Sequence, residues 1–338
     1  MAYAQVIGDV TVSTNVTTPD NLNFIITGGS QVGGNLFQSF SEFSVPEGGV
    51  ASFENALDVQ NIINRVTGNS ISQINGLIQA QGSSNFFLVN PNGIVFGPEA
   101  ELVLGGSFVA STAESLQFLD GTVFSTVEPQ AQPLLTMSVP VGLQFGEMPG
   151  SIINRSQATR SIPGFASEVP VGLGVQPGQT LALVGGDIFI ENGRLSASGG
   201  RIELGSVANQ GFVSLNSTAK GLTLGFESIQ NFQDVQLSQA FVDVSSLEGS
   251  GTIEIHGRQI ALKNTSQIGA FNGGVNAGGT LLIAASESVE INNSFVTTTT
   301  VSSGAAGDII ISTGQLIVSA GSGISALTEG SGQGANAN

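Results

Sequence analysis

The 338-residue chain has no cysteine, no tryptophan, one tyrosine and one histidine. Without cysteine there is no disulfide, no thiol nucleophile and no thiolate metal site. The absence also suits a chain that crosses a membrane unfolded through an oxidising compartment, where a bridge would lock a loop too wide for a pore. Cations are scarce as well: eight Lys plus Arg stand against 25 Asp plus Glu, a formal charge of −17. Such a surface repels nucleic acid and offers no basic patch to a phosphate backbone. Charged residues make up 10% of the chain and hydrophobic ones 40%. No apolar run approaches the roughly 18 residues of a membrane helix. High apolarity without a span implies strands buried on both faces.

What is plentiful is glycine, 47 residues of it, set between short apolar runs. Residues 86–96 are the clearest case: Phe86-Phe87-Leu88-Val89, then Asn90-Pro91-Asn92-Gly93, then Ile94-Val95-Phe96. Apolar runs of this length bounded by turn residues read as strands covered on both sides. Pro91 fixes φ near −65°, Gly93 is free to take positive φ, and each Asn carboxamide can bond nearby backbone. The tetrapeptide holds no acid, base or nucleophile.

Three segments are expected, 5–123, 124–180 and 181–338. At the start, Ala2-Tyr3-Ala4 before Gln5 matches the tail of a secretory cleavage site. The expectation is that Met1 is an added start and that a signal peptide was removed. Residues 5–54 read as short strands between Gly and Asn turns, with Val10 and Val12 alternating in one of them. Residues 55–80 are the only candidate for helix. Ala56, Leu57, Val59, Ile62 and Ile63 could share a face, while Asn55, Asn61, Asn64 and Asn69 favour strands and turns instead. Seven of the eleven prolines fall between Pro129 and Pro177, so 124–180 should be irregular coils or an insertion. Even there Val139-Pro140-Val141-Gly142-Leu143 recurs as Val169-Pro170-Val171-Gly172-Leu173, which suggests a repeat unit.

From 181 onward the repetition is plain. Apolar pairs Leu181/Leu183, Ile188/Ile190, Leu195/Ala197 and Ile202/Leu204 follow at seven-residue steps, separated by Gly185-Gly186, Asn192-Gly193 and Gly199-Gly200. Paired glycines would destroy a heptad helix, so these are strand–turn units. Gly251-Thr252-Ile253, Gly279-Thr280-Leu281 and Gly307-Asp308-Ile309 then start at a 28-residue interval. Within those units the pairs Ile260/Leu262, Val289/Ile291 and Leu316/Val318 should stack, as should Ile268/Ala270, Val296/Thr298 and Ile324/Ala326. A single turn cannot bury its own apolar side chains, so each coil must lie on the last, about 4.8 Å away. The expected fold is all-β, a single-stranded parallel β-helix of right-handed coils. Inward Val, Ile and Leu should form ladders, and so should any inward Asn or Thr. Gly334 to Asn338 would open a further unit, from which the natural protein is expected to continue.

Chemistry is sparse. His256 is the sole histidine and occupies a repeat position held by Ala284 and Ser312 in later units, so it reads as a solenoid surface or turn residue. Glu99 with Glu101, Asp187 with Glu191, Glu254 and Asp308 are scattered and carry no paired Asp. The Gly-Asp steps lack the nine-residue spacing of calcium repeats, and no phosphate loop exists. No metal, cofactor or catalytic residue is expected.

Several ordered motifs between 20 and 112 resemble the N-terminal secretion domain of filamentous-haemagglutinin-type exoproteins, the passengers of two-partner secretion (the TpsA family). They are Phe40-Ser41-Glu42-Phe43-Ser44-Val45, Ile63-Asn64-Arg65-Val66-Thr67-Gly68, Ser72-Gln73-Ile74-Asn75-Gly76, Asn90-Pro91-Asn92-Gly93-Ile94 and Gly105-Gly106-Ser107-Phe108. Gly200 to Val207 is similar to the form in large cyanobacterial members. The resemblance implies a right-handed β-helix with an N-terminal β cap and extra-helical strands. It further implies Sec export of a monomeric chain, then delivery to the cell surface or medium by an outer-membrane TpsB-type barrel transporter of the Omp85 superfamily with POTRA domains. Asn90, Pro91, Asn92 and Gly93 are the implied secretion motif, with Arg65, Gly68, Ser72 and Gly76 as further motif positions. Whether that motif touches the transporter or shapes the cap stays open, with its turn chemistry on the side of shape. Two other functions remain: a β-helical polysaccharide lyase or hydrolase, which needs acidic or basic side chains converging in a groove, and a purely structural adhesin stalk.

Overall fold

The computed structural model describes residues 5–127, 129, 133–161, 167–218 and 221–338. The expected cleavage tail Ala2-Tyr3-Ala4 lies outside them. The described chain winds into a parallel β-helix whose coils share three strand-bearing sides. The first side stacks Asn35–Phe43, Asn61–Val66, Asn85–Val89, Phe108–Ser111, Thr180–Gly185 and Arg201–Ser206, all parallel. The second stacks Ser72–Ile74, Ile94–Phe96, Ile152–Asn154, Ile188–Glu191 and Val235–Ser238. The third begins with Asn23–Gly28, Val50–Phe53, Leu77–Ala80 and Glu101–Val103, and resumes from Leu173–Gly174 to Gly323–Thr328.

The 28-residue interval is a coil. Ile253 pairs with Leu281 and Leu281 with Ile309; Ile260 stacks through Val289 to Leu316, and Ile268 through Val296 to Ile324. In these last coils the first and second sides fuse into long strands, Thr252–Lys263, Leu281–Asn292 and Ile309–Ser319, with a register shift at the corner. Residues 55–80 contain no helix: Asn61–Val66, Ser72–Ile74 and Leu77–Ala80 form one coil. Asparagines decide this locally. Asn61 Nδ2 donates to Asn35 Oδ1 and Asn85 Nδ2 to Asn61 Oδ1, a carboxamide ladder that only stacked strands can make. Its residues alternate with the inward Leu36, Ile62 and Phe86, so the ladder stands on the outer side and not in the interior. Val10 and Val12, expected in a strand, lie in a bend between Val6–Gly8 and Thr14–Thr17; these two strands pair antiparallel with the first coil and cap it.

At two levels the chain leaves the helix between the first and second sides. The excursion 112–151 carries Ser115–Phe118, Val123–Ser125 and Pro140–Phe145; the excursion 207–234 carries Gly211–Thr218 and Gly221–Gly225. Together they build one antiparallel sheet in the order Val123–Ser125, Ser115–Phe118, Pro140–Phe145, Gly211–Thr218, Gly221–Gly225. It lies over the first side and creates a second core. Phe86 and Leu88 point into the helix, while Phe87 and Val89 join Leu116, Phe118, Phe124 and Leu143 outside it. That is why residues 86–89 can be apolar without alternation. The two Val-Pro-Val-Gly-Leu segments are not a structural repeat. The first runs into the extra-helical strand Pro140–Phe145; the second spans a hairpin with Thr159–Arg160 and enters the third side. Five residues are too few to select a strand's partner when both settings offer an apolar wall.

Candidate functional site

Asn90-Pro91-Asn92-Gly93 is the turn between the first and second sides of its coil, joining Asn85–Val89 to Ile94–Phe96. Asn90 is fully buried. Its Nδ2 donates to Ser72 Oγ at 2.9 Å and to Ser70 O at 3.0 Å, both in the coil before. Its Oδ1 accepts from the Asn92 backbone N–H and from Asn92 Nδ2. Asn92 Nδ2 also reaches Gly68 O at 2.8 Å. The Gly93 N–H closes the turn on Asn90 O. On the other flank, the Gly150 N–H donates to Pro91 O and the Ile94 N–H to Ser151 O. The corner is therefore bonded to the coils on both sides of it. Gly93 has φ +125°, and a Cβ there would sit 3.1 Å from Ser151 O. Pro91 and Asn92 keep part of their surface exposed.

The structure gathers Gly68, Ser72, Asn90 and Asn92 into this corner; a Cβ on Gly68 would stand 2.0 Å from Ser41 O. Gly76 is elsewhere, at the next corner, packed over Gly49 and Pro46. Arg65 is elsewhere too, on the outer side of Asn61–Val66 and only 1% exposed. Its guanidinium donates to Ser39 Oγ, Thr11 Oγ1 and Ser125 O, and lies 4.1 Å from the centre of the Phe124 ring. It thus joins the cap, the first side and the extra-helical sheet. Burial lowers its pKa to about 10, against the opposing pull of Asp9. Asp9 closes the cluster by accepting from Ser39, Thr11 and Thr67 hydroxyls. These partners come from positions up to 60 residues away, and the isolated Asp9-Val10-Thr11 segment gives no hint of them.

Charged side chains also converge around Arg201. Arg201 Nη1 donates to Glu203 Oε1 at 3.2 Å and to Glu254 Oε1 at 2.7 Å, and His256 stands beside Glu254. His256 is neither a turn nor an open surface residue: it lies in the strand Thr252–Lys263, with its ring stacked on Phe226 at 4.4 Å. A polysaccharide-cleaving enzyme would need such acids in an open groove. Here Glu203 is fully buried beneath the extra-helical strand Gly221–Gly225. Among the described residues no three His, Asp or Glu side chains are placed to hold a metal ion.

The described fold has a solved counterpart. The HMW1 secretion domain from Haemophilus influenzae superposes with a TM-score of 0.54 at 20% identity, over 95% of this chain and 83% of that one. A filamentous hemagglutinin secretion domain gives a TM-score of 0.45 at 15% identity, over 98% of this chain and 99% of that one. No curated protein matches the sequence. The TPS secretion domain family matches residues 4–255, and on that span the chain belongs to the TPS secretion domain family.

Proposed function

We propose that this secretion domain reaches its transporter unfolded and that the Asn-Pro-Asn-Gly corner acts after translocation, by fixing the geometry of the first coils. A TPS secretion domain has a cognate TpsB-type transporter and serves a secreted exoprotein. We infer Sec export of a monomer, then strand addition of extended segments to a POTRA sheet edge, where backbone bonds give affinity with little demand on sequence. Outside the cell the capped segment 5–123 folds first, 124–180 completes the first excursion and returns to the helix, and the coils of 181–338 add to it. Each coil gains stability from the one before it, so folding on the far side opposes return. No step of this reading is catalytic.

The supporting observation is the two-sided bonding of the corner, with Asn90 and Asn92 on Gly68, Ser70 and Ser72 and the Pro91 carbonyl on Gly150. The test is the double variant Asn92→Val, Gly93→Val, followed through export. Accumulation in the periplasm with little surface protein is expected; normal surface delivery overturns the proposal. Pro91→Ala separates shape from contact, because it trims a partly exposed ring and leaves these bonds in place. Secretion should persist, and a block with the fold intact would assign the motif to transporter contact.

A further inference from the structure

Neither the secretion motif nor the ladders explain Glu203. The outer row of the first side reads Phe37, Ile63, Phe87, Val109, Ala182, Glu203, Glu254, Leu282 along the helix. A carboxylate therefore replaces an aliphatic side chain at the level where the extra-helical sheet ends. That sheet finishes on Gly221–Gly225, which pairs with Gly211–Thr218 on one edge only. The free edge carries the backbone groups of Leu222 and Leu224. Thr180 Oγ1 accepts from the Leu222 N–H at 3.0 Å and donates to Leu222 O at 2.7 Å. The Leu224 N–H is directed at the Glu203 carboxylate. Two side chains of the helix thus plug an edge that would otherwise present unpaired donors.

The Glu203 plug is poised differently from Thr180. Glu203 is 0% exposed, and its Oε2 has no hydrogen-bond partner. One guanidinium, Arg201, is shared between Glu203 and Glu254. From the coil before, the facing residue is Ala182; from the coil after, it is Glu254, with His256 on the far side of Glu254. From the hairpin, Glu227 turns its carboxylate against Gly225; Lys220 lies outside the described residues. Glu203, buried beside a partly exposed Glu254 with one cation between them, keeps its charge only at high cost, so of the two acids it is the one that holds a proton.

We infer that Glu203 is a proton-operated latch: protonated, it holds the hairpin 207–234 against the helix, and ionised, it releases the free edge of Gly221–Gly225. Burial, with Glu254 beside it, raises the Glu203 pKa to about 8 against the counter-pull of Arg201. A group whose folded pKa lies above its unfolded value binds more protons when docked, so docking weakens as pH rises from the ordinary carboxylate range through about 8.

The test is amide hydrogen exchange of the whole chain between pH 6 and 9, corrected for the intrinsic pH dependence of exchange. In the wild type, opening of residues 221–225 should increase about tenfold between pH 7 and 9. Amides of Leu281–Asn292 in the same molecules should stay unchanged, which separates hairpin release from global unfolding. Glu203→Gln keeps the shape and abolishes the increase. Glu254→Gln gives Arg201 to Glu203 alone and should shrink it. A wild-type profile flat with pH, or one that Glu203→Gln leaves unaltered, overturns the latch. Should Glu203→Gln fail to fold, the wild-type profile and the Glu254→Gln shift still decide.

Discussion

At the scale of single residues the chain concentrates its polar chemistry where layers meet. Arg65 is the sharpest instance: three hydrogen bonds and one aromatic face tie it to the cap, the first coil and the extra-helical sheet. Arg65→Ala removes three hydrogen bonds from a closed space and takes the neighbouring cation away from the Asp9 carboxylate, and should cost on the order of 3 kcal/mol in urea unfolding. Arg65→Lys should recover little, since a single ammonium cannot reach three separated acceptors and stack on Phe124 as well. Asp9 gives the same cluster a pH dependence. Burial alone would raise its pKa, but hydrogen bonds from Ser39, Thr11 and Thr67 together hold it below 3.8. The unfolded chain then binds the proton more readily, so Asp9 stabilises the fold above about pH 4 and loses that effect as pH falls below it. Thermal midpoints measured from pH 5 down to pH 2.5 should drop less steeply in Asp9→Asn than in the wild type.

At the scale of elements, a strand's two sides meet different surroundings, and this predicts which substitutions matter. Phe86 faces the helix interior and Phe87 the second core; both are about as buried as a side chain can be. Phe87→Ser should therefore cost as much as Phe86→Ser, about 3–5 kcal/mol in either case. Phe295 sits on the outer surface of the third side and is 42% exposed. Phe295→Ser should change stability by less than about 1 kcal/mol. Urea midpoints of the three variants check the ordering, and a cheap Phe87→Ser would mean that the extra-helical sheet does not shield the first side in solution. The double burial of residues 86–89 was legible in the sequence because four consecutive apolar residues leave no solvated side. The source of the outer cover was not. The strand Pro140–Phe145 pairs with Gly211–Thr218 across nearly seventy residues of chain, and neither segment's pattern names the other. The secretion-motif corner was half legible: Pro91 and Gly93 announce a turn, whereas the reach of Asn90 and Asn92 back to Gly68, Ser70 and Ser72 depends on the coil pitch. Arg65 stood out only as a motif position and Glu203 only within the stretch from Gly200 to Val207; the burial of both was not legible, since it depends on the cap and the excursions that pack over them.

At the scale of the whole molecule, the strands of the helix form a one-dimensional stack in which each coil pairs with its neighbours, while the excursions reach farther. The last coils show this most simply, with Ile255, Ile283 and Ile311 in one ladder and no excursion between them. Stability in such a stack is close to a sum of coil and interface contributions, so damage stays local. Ile283 is fully buried, and Ile283→Ala should cost about 3 kcal/mol through lost contacts and a residual cavity. The loss should not spread evenly. Exchange of amides in Thr252–Lys263, Leu281–Asn292 and Ile309–Ser319 should accelerate, while those in Asn61–Val66, Asn85–Val89 and Phe108–Ser111 keep their protection. The excursions give a reason for the asymmetry, because the first side from Phe37 to Val184 is clamped between two cores, whereas from Leu282 onward it has only one. Uniform acceleration from the cap to residue 319 would show that the two halves unfold as one unit, and the coil-by-coil growth proposed for the emerging chain would lose its thermodynamic basis.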